Sequence, residues 1–337
     1  LVRDARLIFG FRTETVEASP WRTPPVSLVS VLGSAVLPVV AVAAIGYALG
    51  WTKDVAVEPL SDITLYVLAP ALVFYSLVTT PISGPTVARL FVGVALFTVG
   101  MVALAEGVGR VLGEDEPVLG ALVLTSTFSN AGNYGIPLSA FAFGALGRST
   151  AVLYIVAQSV LMYTVGVYVA ARGDAGSALG AVTRVFRLPL VYALAAAAVV
   201  RVGDLAPPTD TAVMETIRLT GDAAIPVMLL MLGIQLANSG GGSSVTRTAP
   251  ASALKLLVAP VLAVGVALAV GLTGTVGRVF VLECAMPAAV TPLMLTIEFT
   301  GSGPADGLAA ADYVSTTILV TTPATLVTPP GLIAPPP

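Results

Sequence analysis

The sequence predicts an all-α polytopic membrane protein of ten transmembrane helices. They form two inverted five-helix repeats, in which helices 4 and 9 are broken and cross. Three observations carry the prediction. First, the 337 residues are 56% hydrophobic and only 10% charged, far below the roughly 25% charge of a soluble domain, so the chain belongs in lipid. Second, apolar runs of about 20 residues recur along its length. Third, two runs are interrupted at matching places by glycine and proline.

Composition also excludes. Net charge is −3 with no basic block, so nucleic acid is not an expected partner. Cys284 is the single cysteine, which rules out an intrachain disulfide. There is no histidine, the commonest metal ligand and proton shuttle. No cofactor or metal is expected. A hydrolase is disfavoured because no base partners the serines.

The runs fall near 28–50, 59–79, 86–112, 117–143, 147–171, 185–202, 212–237, 249–272, 276–299 and 308–333. Residues 1–26 hold four arginines, three acids and three prolines. We read them as a disordered or non-native N-terminal extension; the rival is a short interfacial helix over Leu7 to Phe11. The membrane domain then divides into a first repeat at 27–171, a short loop at 172–184 and a second repeat at 185–333. Positive charges in the connections, seven on one side against five on the other, weakly favour both termini outside.

The repeats are visible in the letters. Segment two reads "LYVLAPALVFYSL" and segment seven "GDAAIPVMLLMLGIQL", each with a proline, Pro70 or Pro226, ahead of a long-side-chain apolar run. Segment four reads "VLTSTFSNAGNYGIPLSAFAFG" and segment nine "VLECAMPAAVTPLMLTIEFTG". Both open Val-Leu, break near the middle and carry a Pro-Leu. Five spans per half put the second half in the membrane upside down, the inverted repeat of secondary transporters.

The breaks carry the chemistry. In lipid an unpaired backbone N–H or C=O costs several kcal/mol. Proline removes a donor and clashes with the carbonyl four residues back. Gly132, Gly135 and Pro137 therefore stop a continuous helix through segment four, and Pro287 and Pro292 do so in segment nine. Irregular backbone is tolerated only where protein buries it or water reaches it, so the two breaks are expected to meet near the midplane. Each half-helix beginning there presents free N–H groups and a positive dipole end, which hold anions without a full charge. Asn130 and Asn133 add amide donors and acceptors. Thr291 adds a hydroxyl, and Met286, Ala288 and Ala289 are small or pliant. A carboxylate fits such a site. The competing reading, that small and polar residues merely mediate close helix packing, suits a lone asparagine better than this mirrored pair.

Intramembrane acids are candidates for coupling. Asp222, Glu283 and Glu298 are the ones that sit beside a break. Asp62 reads as a first-turn dipole partner, Glu106 as a partner of Arg110 four residues on, Asp312 as interfacial. Lys255, seven residues into segment eight, is expected to snorkel to the interface. Gln235 is a further candidate of low specificity.

"FSNAGNYGIPL" and "AMPAAVTPLML", with "LYVLAPALVFYSL" and "AAIPVMLLMLGIQL", resemble the auxin efflux carrier family. That family includes plant carriers and prokaryotic permeases for malate or malonate. The likeness covers the chain from about residue 28. It implies ten helices split into a scaffold and a transport domain, a crossover of broken helices four and nine at the substrate site, and elevator-type movement. It places Asn130 on the crossover asparagine, and Pro137 and Pro287 on the crossover prolines. Segment nine departs from the resemblance: many members of that family have asparagine or serine after the first proline, where this chain has "PAAVTP". The plant carriers' long central loop is absent, so the prokaryotic type is the nearer likeness.

The expectation is a cell-membrane secondary transporter of a small organic anion, with a proton or sodium as possible coupling ion and a homodimer as a fixed scaffold. The rivals are a sodium- or proton-coupled transporter like the bile acid symporters or the cation/proton antiporters, and a non-transporting membrane sensor. An antiporter would want carboxylates at the crossing, and a sensor would not need two broken helices.

Overall fold

A computed structural model of the chain describes residues 37–53, 55–80, 82–171, 189–238, 245–300 and 305–325. The expectation for residues 1–26, and the link at 172–184, lie outside them. The described chain is helical, and no strand occurs among these residues beyond one isolated bridge. In order the helices are α1 (Leu37–Thr52), α2 (Glu58–Thr79), α3 (Gly84–Val111), α4 (Val118–Thr127), α5 (Ala131–Ala170), α6 (Pro189–Val202), α7 (Ala212–Asp222), α8 (Ala224–Asn238), α9 (Val245–Val270), α10 (Gly274–Cys284), α11 (Thr291–Thr300) and α12 (Ala305–Ala324).

Five stretches are long and apolar enough to cross a membrane: α2, α3, α5, α7 with α8, and α9. At 40 residues, α5 would run about 60 Å, twice the hydrocarbon thickness. Gly144 resolves this. Its φ of 62° and ψ of −147° interrupt the helix, a conformation that glycine adopts freely and other residues resist. The chain turns there, between the fourth and fifth apolar runs of the sequence.

Prolines set the local geometry. Wider π-type turns occupy Thr64–Leu68, Ala131–Gly135 and Leu254–Val258, each placed two residues before a proline: Pro70, Pro137 and Pro260. The wider turn accommodates the ring and the missing donor without ending the helix. The seventh apolar run kinks at Ala223, with Pro226 at the start of the next helix.

The helices pack in two groups. In one, α1 lies along α8, and α2 against α6 and α7. In the other, α3, α4, α5, α9, α10, α11 and α12 pack on one another. The α1–α8 contact is close because glycines face backbone across it. A Cβ at Gly46 would strike the carbonyl of Leu230, and one at Gly233 the carbonyl of Ala43. Such small-residue contacts hold helices together where lipid removes the hydrophobic drive. Side chains such as Val92, Leu96 and Val99 on α3, and Val261 and Leu268 on α9, are exposed. A bilayer covers them.

Gly46→Leu is therefore expected to separate α1 from α8 at a cost on the order of 1–3 kcal/mol, read as a lower melting temperature in detergent. Gly265→Ala, where a Cβ meets nothing within 4 Å, is expected to leave it unchanged or raise it.

Candidate functional site

The site is built where two helices stop. α4 ends at Thr127 and α10 at Cys284. Beyond them the chain is extended, and the two stretches pair. Asn130 N–H donates to Pro287 O at 2.8 Å, and Ala289 N–H donates to Phe128 O at 3.0 Å. These bonds make an antiparallel bridge between Ser129 and Ala288. The helix expected to break within 125–141 does so at Phe128–Asn130, but not at Gly132, Gly135 or Pro137: these lie inside α5, where the wider turn Ala131–Gly135 accommodates the proline. Its partner breaks around Pro287, while Pro292 lies in the first turn of α11, where a missing donor costs nothing.

Side chains satisfy what the bridge leaves over. Gln158, on the second arm of α5, pairs with Ser129 as a peptide would: its Nε2 donates to Ser129 O at 2.8 Å and its Oε1 accepts from Ser129 N at 3.2 Å. On the other strand Thr321 Oγ1, from α12, accepts from Ala288 N at 3.2 Å. Neither was singled out in the sequence. An amide inside the apolar run "YIVAQSVL" is the signal that would have found Gln158. A threonine bonded to its own helix, as Thr321 also is, gives none.

A cavity of about 430 Å³ opens beside the bridge. Of the predicted residues, Asn130, Gly132, Asn133 and Thr291 lie on its wall, as does Gln235. Asn130 is 6% exposed, and its Nδ2 has no acceptor. Ser159, Tyr163 and the methionines Met162, Met228, Met231 and Met294 complete much of the lining, with Glu58 and Asp62 on the wall as well. No lysine or arginine among the described residues lines it.

Other predicted residues sit behind the wall. Pro287 and Ala288 serve the bridge through their backbone. Met286 packs with Tyr134, Leu138 and Leu282 in a separate apolar cluster. Pro137 and Pro292 are buried. Gly135 backs onto Glu283, whose carboxylate occupies the space a Cβ would need.

The three acids part company. Glu283 is fully buried. Its Oε1 accepts from Ser139 Oγ at 2.6 Å, while Oε2 has no partner. Asp222 instead lies in ion pairs, 2.8 Å from Arg148 and 2.9 Å from Arg218, with a side chain 39% exposed. That pairing gives it a bridging role between α7 and α5. The side chain of Glu298 lies outside the described residues. Glu106 pairs with Arg110 at 2.8 Å, as the spacing indicated. Lys255 does not snorkel. It is fully buried, and Nζ donates to Ser129 Oγ at 2.6 Å and Cys284 O at 3.2 Å. The wider turn Leu254–Val258 and the acceptors at the bridge hold it inward.

Two interrupted helices paired by backbone beside a mainly apolar cavity with a few polar groups on its wall, in a chain of apolar spans, fit a membrane transport protein. The comparison with known families agrees. The chain matches the family described as "Membrane transport protein" twice, over residues 31–178 and 179–327. It belongs to that family, the auxin efflux carrier group its motifs resemble. It is thus a multi-pass integral membrane transporter and not an enzyme. It is 27% identical over 268 residues to an uncharacterized transporter of Methanothermobacter thermautotrophicus, covering 78% of this chain and 87% of the relative. A second uncharacterized transporter, from Methanocaldococcus jannaschii, is 24% identical over 268 residues, covering 77% of this chain and 87% of the relative.

The contact between Gly135 and Glu283 is testable by a double-mutant cycle. Gly135 has helical φ and ψ, so alanine there is strained only by the carboxylate. Gly135→Ala is expected to lower the melting temperature. Adding Glu283→Ala should recover part of that loss, with a coupling of about 0.5–3 kcal/mol. Additive effects would disconnect the two residues.

Proposed function

We propose that the protein is a secondary active transporter of a small organic anion, a carboxylate, working by elevator-type alternating access. The observation that carries the reading is the unpartnered Asn130 amide nitrogen at the wall of the cavity. A buried donor without an acceptor costs on the order of 1–3 kcal/mol, and a ligand oxygen would remove that cost. The free N–H groups of the helix starting beyond Asn130 add a positive dipole end.

In this reading the fold is ten spans in two inverted five-helix repeats, matching the two family matches. The α1, α2, α6, α7 and α8 group is the scaffold, and the remainder is the moving body. The Arg148–Asp222 pair and the bond from Ser149 Oγ to Thr80 Oγ1, 2.8 Å, cross between the two groups and would break and reform as the body moves. Glu283 is the proton-coupling candidate, because it is a buried carboxylate with one oxygen free of partners. A homodimer would give the scaffold a fixed footing.

Glu58 and Asp62 on the cavity wall favour a second reading of the substrate. A ligand that carries a positive group or its own proton would meet them without repulsion. An amino acid therefore belongs in the test beside mono- and dicarboxylates.

The test is uptake of radiolabelled carboxylates and amino acids into proteoliposomes, with pH gradient, sodium and voltage set separately. A carboxylate is expected to be accepted, and Asn130→Ala to reduce its uptake about tenfold or more, as loss of one or two hydrogen bonds to a charged ligand would. Undiminished uptake by Asn130→Ala removes the site. Glu283→Gln is expected to abolish the response to an imposed pH gradient. Asp222→Asn is expected to slow transport and keep that response.

A further inference from the structure

Among the described residues, Lys255 and Glu283 are the charged side chains classed as buried, and Lys255 is the cation. The binding reading above leaves Lys255 without a task. Its position supplies one. α4 and α10 both run toward the bridge and end there, so the negative ends of two helix dipoles converge on one buried point. At the end of α10, the carbonyl of Cys284, left over by the helix, needs partners. It has two: Ser129 Oγ at 3.1 Å and Lys255 Nζ at 3.2 Å. Ser129, just past the end of α4, accepts from Lys255 at 2.6 Å with the same oxygen that donates to Cys284. The Phe97 ring lies with its centroid 6.0 Å from Nζ, within the range of a cation–π contact. Carbonyl, hydroxyl and ring face are each what a cation seeks, and an ammonium offers three donors and no acceptor.

We propose that the Lys255 ammonium is a tethered cation. It occupies, behind the cavity lining, the position where a dissociable metal cation would otherwise neutralise the two helix ends. Being covalently held, it stays through every state of the protein. No sodium ion is then needed to assemble the bridge. Lys255 is thus a positioning residue: it touches no substrate and acts through Ser129 and Cys284.

The test needs no known substrate, so its failure is separable from failure of the transport reading. Melting of the purified protein in detergent is measured in choline chloride, sodium chloride and methylammonium chloride at equal ionic strength. Wild type is expected to melt at the same temperature in all three. Lys255→Ala leaves a space lined by Ser129 Oγ and Cys284 O. It is expected to melt lower in choline and to regain at least about 2 °C in methylammonium or sodium. Lys255→Met keeps the bulk without the donors and is expected to melt below wild type in every salt. If Lys255→Ala does not fold, the methionine variant and the wild type decide the matter. Stabilisation of wild type by sodium over choline overturns the proposal. So does a Lys255→Met protein as stable as wild type, or a folded Lys255→Ala protein indifferent to all three cations.

Discussion

Two backbone hydrogen bonds, Asn130 N–H to Pro287 O and Ala289 N–H to Phe128 O, are the constraint on which the rest of the structure depends. A helix that stops inside a bilayer strands polar groups that oil cannot solvate. Here two stopped helices solve the problem for each other. Every neighbouring feature answers to that joint. Gln158 and Thr321 close the remaining backbone groups, Lys255 and Ser129 meet the Cys284 carbonyl, and Gly135 leaves room for Glu283. The cavity lies beside the joint because helices that break here cannot also fill the space between them.

Much of this was legible in the sequence, for a physical reason. Lipid leaves few ways to satisfy a backbone, so composition alone selects helices, and clustered glycine and proline mark the neighbourhood where one fails, though in segment four the failure falls at Phe128–Asn130 and Gly132, Gly135 and Pro137 are helical. The breaks near Asn130 and Pro287 follow from that, as do Glu106 with Arg110 and the placing of Asn130, Gly132, Asn133 and Thr291 on one wall. Boundaries of the apolar runs come within a few residues where the chain is described, because charge marks the membrane edge.

The rest depends on which way side chains point around a helix, and a run apolar on all sides gives no direction. Lys255 sits near the start of its apolar run, where snorkelling is the ordinary outcome, but it lies in the wider turn ahead of Pro260 and is buried instead. Asp222 and Glu283 look alike as isolated acids beside prolines. The structure separates them by partners 74 and 144 residues distant, Arg148 and Ser139. Met286 sits among apolar neighbours that no local pattern announces.

The pairing of Gln158 with Ser129 has a further meaning. A side-chain amide there does the work of an adjacent strand, so the joint amounts to a sheet one residue long whose outermost member is not backbone at all. Amide-to-amide pairs carry no net charge and do not titrate in the physiological pH range. This pairing of Gln158 with Ser129 is therefore itself indifferent to voltage and acidity, and the charge at the joint is carried by Lys255 beside it. Any response to the electrochemical gradient must be carried by the few ionisable groups placed around it.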